Sequence, residues 1–378
     1  MSSENPLRNL IIELIRREGP ISFKDFMETA LYTPGLGYYA KDSTSIGRNA
    51  DFYTSPHLHP IFGAMIGKQL EEMWHLLGSP KQFHAVEIGA GMGFLAYDIL
   101  EYLDNTDFFS SLTYTIVERN QAVAKKQTSL LEKYDHKVRF ESSISDLAPV
   151  TGCFLSNELL DAFPIHLVEM NGGLCEIFVS IGEQGAFTEI MRPCNSEIIS
   201  YFKEFSVDLQ SIMNDGYRTE VNLDIRKWLY KIALKLSEGF VLTIDYGYPA
   251  DDYYSVERNT GTMLCYHKHS VNDNPYINIG EQDITAHVNF SALKKWGEEV
   301  GLSPVGFSPQ GPYLISLGID EILTDRPELI GDVTDTAKIK RLILPEGMGE
   351  SHKVMVQYKG DKEIRMRGFM LRSRLRNL

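Results

Sequence analysis

The sequence FHAVEIGAGMG at residues 83–93 decides the fold of this chain of 378 residues. Its first six residues form a mostly apolar run typical of a buried strand, and three glycines follow at alternate positions. A segment with helical periodicity, from Phe94 to Leu103, begins directly after the third glycine. A strand, a glycine turn and a helix in this order let a ligand contact bare backbone at the start of the helix.

The spacing of these glycines separates two kinds of nucleotide site. A dinucleotide-binding turn has the pattern G-x-G-x-x-G, which requires a glycine where this chain has Phe94. Here single residues separate the glycines, and an acid stands two residues before the first of them. This pattern resembles the loop that binds S-adenosylmethionine in class I methyltransferases; the alternative is a glycine-rich turn in another α/β protein. The predicted cofactor-binding residues of the loop are Glu87, Gly89, Gly91 and Gly93.

Strands and helices alternate from residue 83 onward, as in a parallel sheet covered by helices. The predicted core strands are 83–88, 113–117, 138–142, 153–157 and 239–245. Because the interval from 157 to 239 is too long for one crossover, it predicts an insertion. The insertion is expected to contain hairpin strands at 165–170, 174–181 and 186–191 and a mostly helical segment at 196–236. After an irregular stretch at 246–290, a helix near 291–300 and strands near 312–317 and 352–358 complete the prediction.

The predicted architecture is an α/β fold: a Rossmann-like class I methyltransferase core with an N-terminal helical cap and insertions. Apolar residues at helical spacing predict the cap. The predicted divisions are the cap at 1–80, the core at 81–163 and 237–360, an inserted substrate-side subdomain at 164–236 and a basic C-terminal tail at 361–378.

Composition and charge exclude several classes of function. The formal net charge of −14 argues against nucleic-acid binding, which requires a basic surface. No apolar run approaches the roughly 18 residues of a membrane span, and four widely separated cysteines predict neither disulfides nor a zinc site. The pair His267 and His269 lacks further ligands at a recognisable spacing, so no metal is predicted. The first residues lack a presequence or a signal core, which leads us to expect a cytoplasmic protein.

Polar residues at the ends of the predicted strands are candidates for binding the cofactor. Carboxyl ends of parallel strands face the ligand crevice, and Glu118 ends the second strand, where its carboxylate can accept hydrogen bonds from both ribose hydroxyls. Ser145 and Asp146 follow the third strand. They are candidates for the adenine side of the cofactor, with N-capping of a short turn as the equal alternative.

The fourth strand ends in a sequence that predicts the methyl-acceptor site. Asn157 and Glu158 are followed by Asp161, and the two acids lie three residues apart, on one face if the segment is helical. Two carboxylates suit a guanidinium, which presents a planar fork of donors. The three residues are the predicted catalytic residues, and a capped helix start with solvated acids is the alternative.

Two further segments lie on the predicted substrate side. Asp245 and Tyr246 end the fifth strand at the same edge of the sheet. Asp283 and His287 belong to a stretch that could close over the site as a lid, although structural capping is a competing use.

Several segments together resemble one family, the MidA-like methyltransferases. They are Gly37-Tyr38-Tyr39, residues 51–56, Phe62-Gly63, residues 87–93, 156–164, 244–247 and 280–288. The resemblance implies a class I fold, S-adenosylmethionine as methyl donor and a protein arginine as acceptor; in the family's mitochondrial member, the acceptor lies in a core subunit of respiratory complex I. It also implies that Asn157 and Glu158 face the acceptor, and we expect Tyr38 and Tyr39 on the substrate side.

The predicted function is therefore S-adenosylmethionine-dependent N-methylation of an arginine in a protein partner, of complex I type or otherwise. Long insertions favour a protein substrate because it requires an extended surface. The alternatives are a small-molecule methyltransferase and a non-catalytic assembly factor that binds the same cofactor. The sequence does not indicate the oligomeric state.

Overall fold

A computed structural model describes residues 5–41, 55–207 and 214–378 of the chain. Within them, the strands form three sheets. The strands are β1 Ile21–Ser22, β2 Phe83–Ile88, β3 Leu112–Val117, β4 Val138–Glu141, β5 Val150–Asn157, β6 His166–Met170, β7 Leu174–Ile181, β8 Phe187–Pro193, β9 Arg218–Val221, β10 Leu236–Tyr248, β11 Leu264–His267, β12 Ser270–Asn272, β13 Asp283–Thr285, β14 Val288–Asn289, β15 Ser303–Pro309 and β16 His352–Lys359. The α-helices are α1 Pro6–Glu18, α2 Phe23–Tyr32, α3 Ser55–Leu58, α4 Ile61–Leu76, α5 Phe94–Leu103, α6 Asp107–Ser111, α7 Gln121–Leu130, α8 Ser196–Glu204, α9 Asp224–Lys235, α10 Ala250–Tyr253, α11 Phe290–Glu299, α12 Gln310–Leu317, α13 Ile319–Asp325, α14 Val333–Ile343 and α15 Met348–Ser351.

The largest sheet has the strand order β15-β16-β10-β5-β2-β3-β4, with the short β14 beside β10. Strands β2, β3, β4, β5 and β10 are parallel, whereas β16 is antiparallel to both of its neighbours. After β2 the chain adds β3 and β4 on one side of β2, and it then crosses back to add β5 on the opposite side of β2. The strand order therefore reverses between β2 and β5, and a crevice for a ligand is expected at the carboxyl ends of these strands.

Apolar helices cover both faces of this sheet. Phe62 of α4 and Ile99 of α5 are fully buried in the core on one face. Leu229 of α9 and Leu293 of α11 are fully buried in the core on the other. Strands covered on both faces contain nearly continuous apolar residues, which is why the central strands were recognisable in the sequence.

The second sheet joins the N-terminal segment to the insertion. Strand β1 pairs antiparallel with β7, and β7, β6, β8 and β9 belong to the insertion. Phe23 and Phe26 of α2 share a buried core with Ile177 of β7. Helices α1 and α2 therefore pack with the insertion, whereas α4 packs on the large sheet.

The structure confirms most of the predicted elements and differs from the prediction in four places. The strand at 83–88 and the helix at Phe94–Leu103 lie where predicted. Residues 312–317 belong to helix α12 instead of a strand; Tyr313 and Leu317, one turn apart, are buried together. The missed strand β15 pairs with β16. The segment 196–236 contains strand β9, and the irregular stretch after β10 contains the small sheet β11–β13.

Three further predictions concern the basic tail, the segment 51–56 and the absence of a membrane span. Arginines of the basic tail pair with acids of the chain itself: Arg367 with Glu321, and Arg374 with Glu350 at 2.7 Å. Part of the family-like segment 51–56 lies outside the described residues. Among the helices that the structure describes, none combines the length and the apolar character that crossing a membrane requires.

Candidate active site

A cavity of about 900 Å³ opens at the carboxyl ends of β2, β3, β4 and β5. Its floor is formed by the glycine turn after β2 and by residues that follow the other three strands. Helices α2 and α9 contribute walls, through Tyr32 and Trp228. The cavity therefore lies at the reversal of the strand order, where the fold predicts a ligand.

The glycine turn has backbone conformations that favour glycine. Gly89, Gly91 and Gly93 all have positive φ, at 72°, 55° and 86°. A Cβ atom on Gly89 would lie 2.7 Å from Leu159 Cδ1, so the backbone of the glycine turn closely approaches residues 157–160 after β5, which we call the acceptor loop. Gln127 Nε2 donates to the Gly91 carbonyl at 2.8 Å and fixes the turn from helix α7. The turn therefore leaves no space for a side chain at Gly89 and presents bare backbone to the cavity at Gly89 and Gly91, a cradle for a ligand.

The end of β3 provides a second group for the cofactor. Glu118 lines the cavity, and burial raises the pKa of its carboxyl. Its Oε1 accepts the backbone N–H of Asn120 at 2.7 Å. Asn120 caps helix α7, and its Nδ2 donates to the Tyr39 carbonyl at 3.1 Å. Asn120 thus connects the cofactor side of the cavity to the N-terminal segment, a role that the sequence prediction missed.

Glu87 supports the glycine turn from below. Glu87 is among the residues that border the cavity, but it is only 3% exposed, and its Oε2 accepts a hydrogen bond from Tyr114 at 2.7 Å. Burial raises the pKa of Glu87 to about 7. Its carboxylate is therefore directed into the interior, toward β3.

We expect the free energy of unfolding of Glu87→Gln, relative to that of the wild type, to increase as pH rises. The folded-state pKa lies above the unfolded one, so the contribution of Glu87 to stability is present at acid pH and is lost as pH rises through about 7. Gln can still accept from Tyr114 and does not ionise. Denaturant unfolding should show the stability of Glu87→Gln relative to wild type increasing by about 3 kcal/mol between pH 5 and pH 9. A pH-independent difference would contradict this account.

The predicted adenine-side residues require a correction. Ser145 and Asp146 are exposed in a short 3₁₀ turn, outside the cavity, and Asp146 accepts a hydrogen bond from Ser142 at 2.9 Å. Ser142, Ser143 and Ile144 line the cavity instead. The 3₁₀ turn spans Ile144–Asp146 with Ser143 as its N-cap, and its last two residues are exposed to solvent.

Asn157 and Glu158 lie at the end of β5 and line the cavity together. Glu158 has a φ of 49°, a left-handed conformation that is costly for a residue with a side chain and that concentrates at functional sites. Its backbone N–H donates to the Ile244 carbonyl at 2.8 Å, which holds this conformation. Glu158 Oε1 accepts from the Ser55 N–H at 3.2 Å and from Asn157 Nδ2 at 3.1 Å. Asn157 Oδ1 is buried and has no hydrogen-bond partner among the described residues.

Two of the predicted acids lie behind the cavity wall. Asp161 and Asp245 are buried and do not line the cavity. Asp245 Oδ2 accepts the backbone N–H groups of Leu159 and Leu160 at 3.2 and 2.9 Å, so it holds the turn that carries Glu158. Burial, followed by the charges of Asp161 and Glu158, raises the pKa of Asp245 well above its usual range.

Asp161, which follows the acceptor loop, is held by a hydrogen bond from Tyr246. The Tyr246 hydroxyl donates to Asp161 Oδ2, while Asp161 Oδ1 has no partner within the described residues. Burial raises the pKa of Asp161 to about 7. Asp161, Asp245 and Tyr246 therefore support the acceptor loop instead of facing the cavity as predicted.

Of the other residues predicted on the substrate side, Tyr39 lines the cavity, whereas Asp283 and His287 lie behind its wall. Tyr39 lines the cavity, stacks on Tyr32 and donates to Asp283 Oδ2 at 2.7 Å. Tyr38 packs edge-on against Tyr39, with 5.0 Å between ring centroids. Asp283 is fully buried in β13, and His287 packs against the Tyr246 ring at 5.1 Å. Asp283 and His287 lie outside the cavity, which corrects their placement on a lid.

The chain belongs to the family of S-adenosyl-L-methionine-dependent methyltransferases, whose model it matches over residues 65–308. A crystal structure from Burkholderia thailandensis with S-adenosyl-homocysteine bound shares 29% identity with a TM-score of 0.89, covering 98% of this chain and 96% of that chain. The mitochondrial protein arginine methyltransferase NDUFAF7 of Danio rerio is 27% identical over 91% of this chain and 84% of its own length. Its Drosophila melanogaster homolog is 26% identical over 75% and 68%.

The family, the fold and the methyl donor predicted from the sequence are thus confirmed. The protein is an S-adenosylmethionine-dependent methyltransferase. The positive φ angles of the glycine turn and the carboxylate of Glu118 fit this cofactor, which presents ribose hydroxyls and a charged amino-acid moiety. Gly89, Gly91 and Glu118 are the residues that would hold it.

Proposed function

We propose that this enzyme methylates an arginine side chain of a protein substrate. The observation that carries the proposal is the set of hydrogen-bond acceptors at the end of β5. Glu158 and Asn157 line the cavity side by side, and the buried Asn157 Oδ1 has no hydrogen-bond partner within the part of the chain that the structure describes. A guanidinium, which offers five N–H donors and a positive charge, fits such a set of acceptors.

The relatives support a protein acceptor. Those from Danio rerio and Drosophila melanogaster are both named protein arginine methyltransferases. The walls contributed by α2 and α9 provide room beside the acceptor loop, and their cavity-lining side chains include both acids and lysines. A polypeptide segment with mixed polarity would be complementary to such a lining.

The residues of this chain would contribute alignment and charge stabilisation. S-adenosylmethionine supplies an electrophilic methyl group on a sulfonium. Glu158 would orient one guanidinium nitrogen and localise the positive charge away from it, because a free guanidinium holds its proton up to a pH above roughly 12. Alignment of this kind can contribute about 7–11 kcal/mol to lowering a barrier, and the strained conformation of Glu158 is fixed before the substrate arrives.

The proposal is tested by identifying the methylated atom. Purified enzyme is incubated with tritiated S-adenosylmethionine and heat-treated cell extract, and the labelled proteins are hydrolysed to amino acids. We expect the label to elute with methylarginine standards. Label in methyllysine, or in small molecules without labelled protein, would contradict the proposal. Binding of S-adenosyl-homocysteine without any labelled product would favour the non-catalytic alternative.

A further inference from the structure

His352, the first residue of β16, lies against the acceptor loop from behind. Its Nε2 is 3.6 Å from Glu158 Oε1, and the side chains are only 9% and 5% exposed. Nε2 has no hydrogen-bond partner within the described ranges. The other ring nitrogen, Nδ1, lies 3.1 Å from Ser351 Oγ, and Ser351 is exposed. A chain of polar atoms therefore runs from Glu158 through the imidazole to solvent.

Methylation of a guanidinium releases one proton. The acceptor nitrogen gains an N–C bond, the S–C bond breaks with its electron pair remaining on sulfur, and one N–H proton must leave for the product to remain a monocation. Glu158 is the carboxylate beside that nitrogen under the proposed function. Because Glu158 is nearly enclosed, the proton needs a route away from it.

Glu158 Oε1 and His352 Nε2 face each other at a distance slightly too long for a hydrogen bond, and this arrangement suits transfer of the proton. In the tautomer that carries its proton on Nδ1 and donates to Ser351 Oγ, Nε2 is an acceptor that faces a carboxylate oxygen. Two acceptors do not hydrogen-bond, which agrees with their separation of 3.6 Å. One proton placed between Glu158 Oε1 and His352 Nε2 would allow a hydrogen bond between these two atoms. Tyr246, whose ring centroid is 5.6 Å away, holds the imidazole from the side.

We propose that His352 takes from Glu158 the proton released by methyl transfer and passes it through Ser351 Oγ to solvent. Nε2 accepts the proton to give an imidazolium, and Nδ1 then releases its own proton to Ser351 Oγ while the serine hydroxyl gives its proton to solvent. The ring is then neutral with its proton on Nε2, and exchange with solvent returns it to the starting tautomer. This inference rests on the proposed function, since it requires a nitrogen acceptor that loses a proton.

The test compares His352→Gln and His352→Ala with wild type, using a protein acceptor identified in labelled extract. Gln can still donate an N–H toward Glu158 but cannot accept and release a proton. We expect kcat of His352→Gln to fall by about 100-fold, with unchanged affinity for S-adenosyl-homocysteine by calorimetry and an unchanged thermal midpoint. Added imidazole should raise the turnover of His352→Ala.

His84→Gln is the matched control, because His84 lies in the same sheet at the amino end of β2, away from the cavity. It should retain wild-type turnover. Wild-type turnover in His352→Gln, or a loss in His352→Ala that imidazole does not restore, would overturn the relay while leaving arginine methylation intact. Absence of nitrogen methylation by wild-type enzyme would overturn the proposed function and the relay together.

Discussion

Glu158→Gln should lower kcat for methyl transfer by about 1,000-fold, within the range for a group that handles charge and protons in the transition state. The amide keeps the size of the side chain and can still accept from the Ser55 N–H, which lies 3.2 Å from Oε1 in the wild type. It loses the negative charge that would stabilise a guanidinium. Single-turnover rates with labelled acceptor protein measure this effect.

The cofactor affinity of Glu158→Gln should stay at the wild-type value, because the glycine turn and Glu118 belong to other strand ends, those of β2 and β3, and the amide keeps the size of the side chain. Glu238→Gln is a suitable control, since Glu238 lies near the amino end of β10 and pairs at the surface with Lys362 at 3.5 Å. It should turn over normally. Equal losses of cofactor binding and turnover in Glu158→Gln would remove Glu158 from the acceptor role.

Gly91→Val should abolish detectable binding of S-adenosyl-homocysteine. Gly91 has a φ of 55°, and its backbone lines the cavity. A β-branched side chain is strained in this conformation and would occupy the cradle between β2 and α5. A loss of at least about 100-fold in affinity, about 3 kcal/mol, should be measured by calorimetry, and methyl transfer should be lost with it.

Gly172→Val separates backbone strain from obstruction of the cavity. Gly172 lies in the turn between β6 and β7 with a φ of 62°, and a Cβ atom there meets nothing within 4 Å. Its conformational cost is similar, but it does not line the cavity. Normal cofactor binding is therefore expected in Gly172→Val. If both variants lose binding equally, instability of the fold explains the loss, and the cradle has no special role.

The parts of the site that the sequence could predict are those specified by local signals. The glycine turn and Glu118 follow directly from strands that are apolar because both of their faces are buried. The position of Glu158 on the cavity wall follows in the same way from the end of β5. Strand ends meet at one edge of a parallel sheet, so such residues converge without any knowledge of distant pairings.

The parts that the sequence could not predict depend on pairings between distant segments. Tyr246 pairs with His352 across β10 and β16, and this register brings His352 to Glu158. A single histidine at the start of a late strand gives no local sign of that contact. Asp245 was expected to face the substrate because it ends a strand, but two backbone N–H groups of the acceptor loop hold its carboxylate inside.

The pairing of Ile21 with Val179 has a consequence for biosynthesis. The first helices leave the ribosome well before the hairpin that covers Phe23 and Phe26 has been translated. Until then, their apolar faces lack the part of the core that the hairpin supplies, and contacts of such long sequence separation form slowly. The nascent amino-terminal segment is therefore a natural client for chaperones during translation, because transiently exposed apolar surface promotes aggregation.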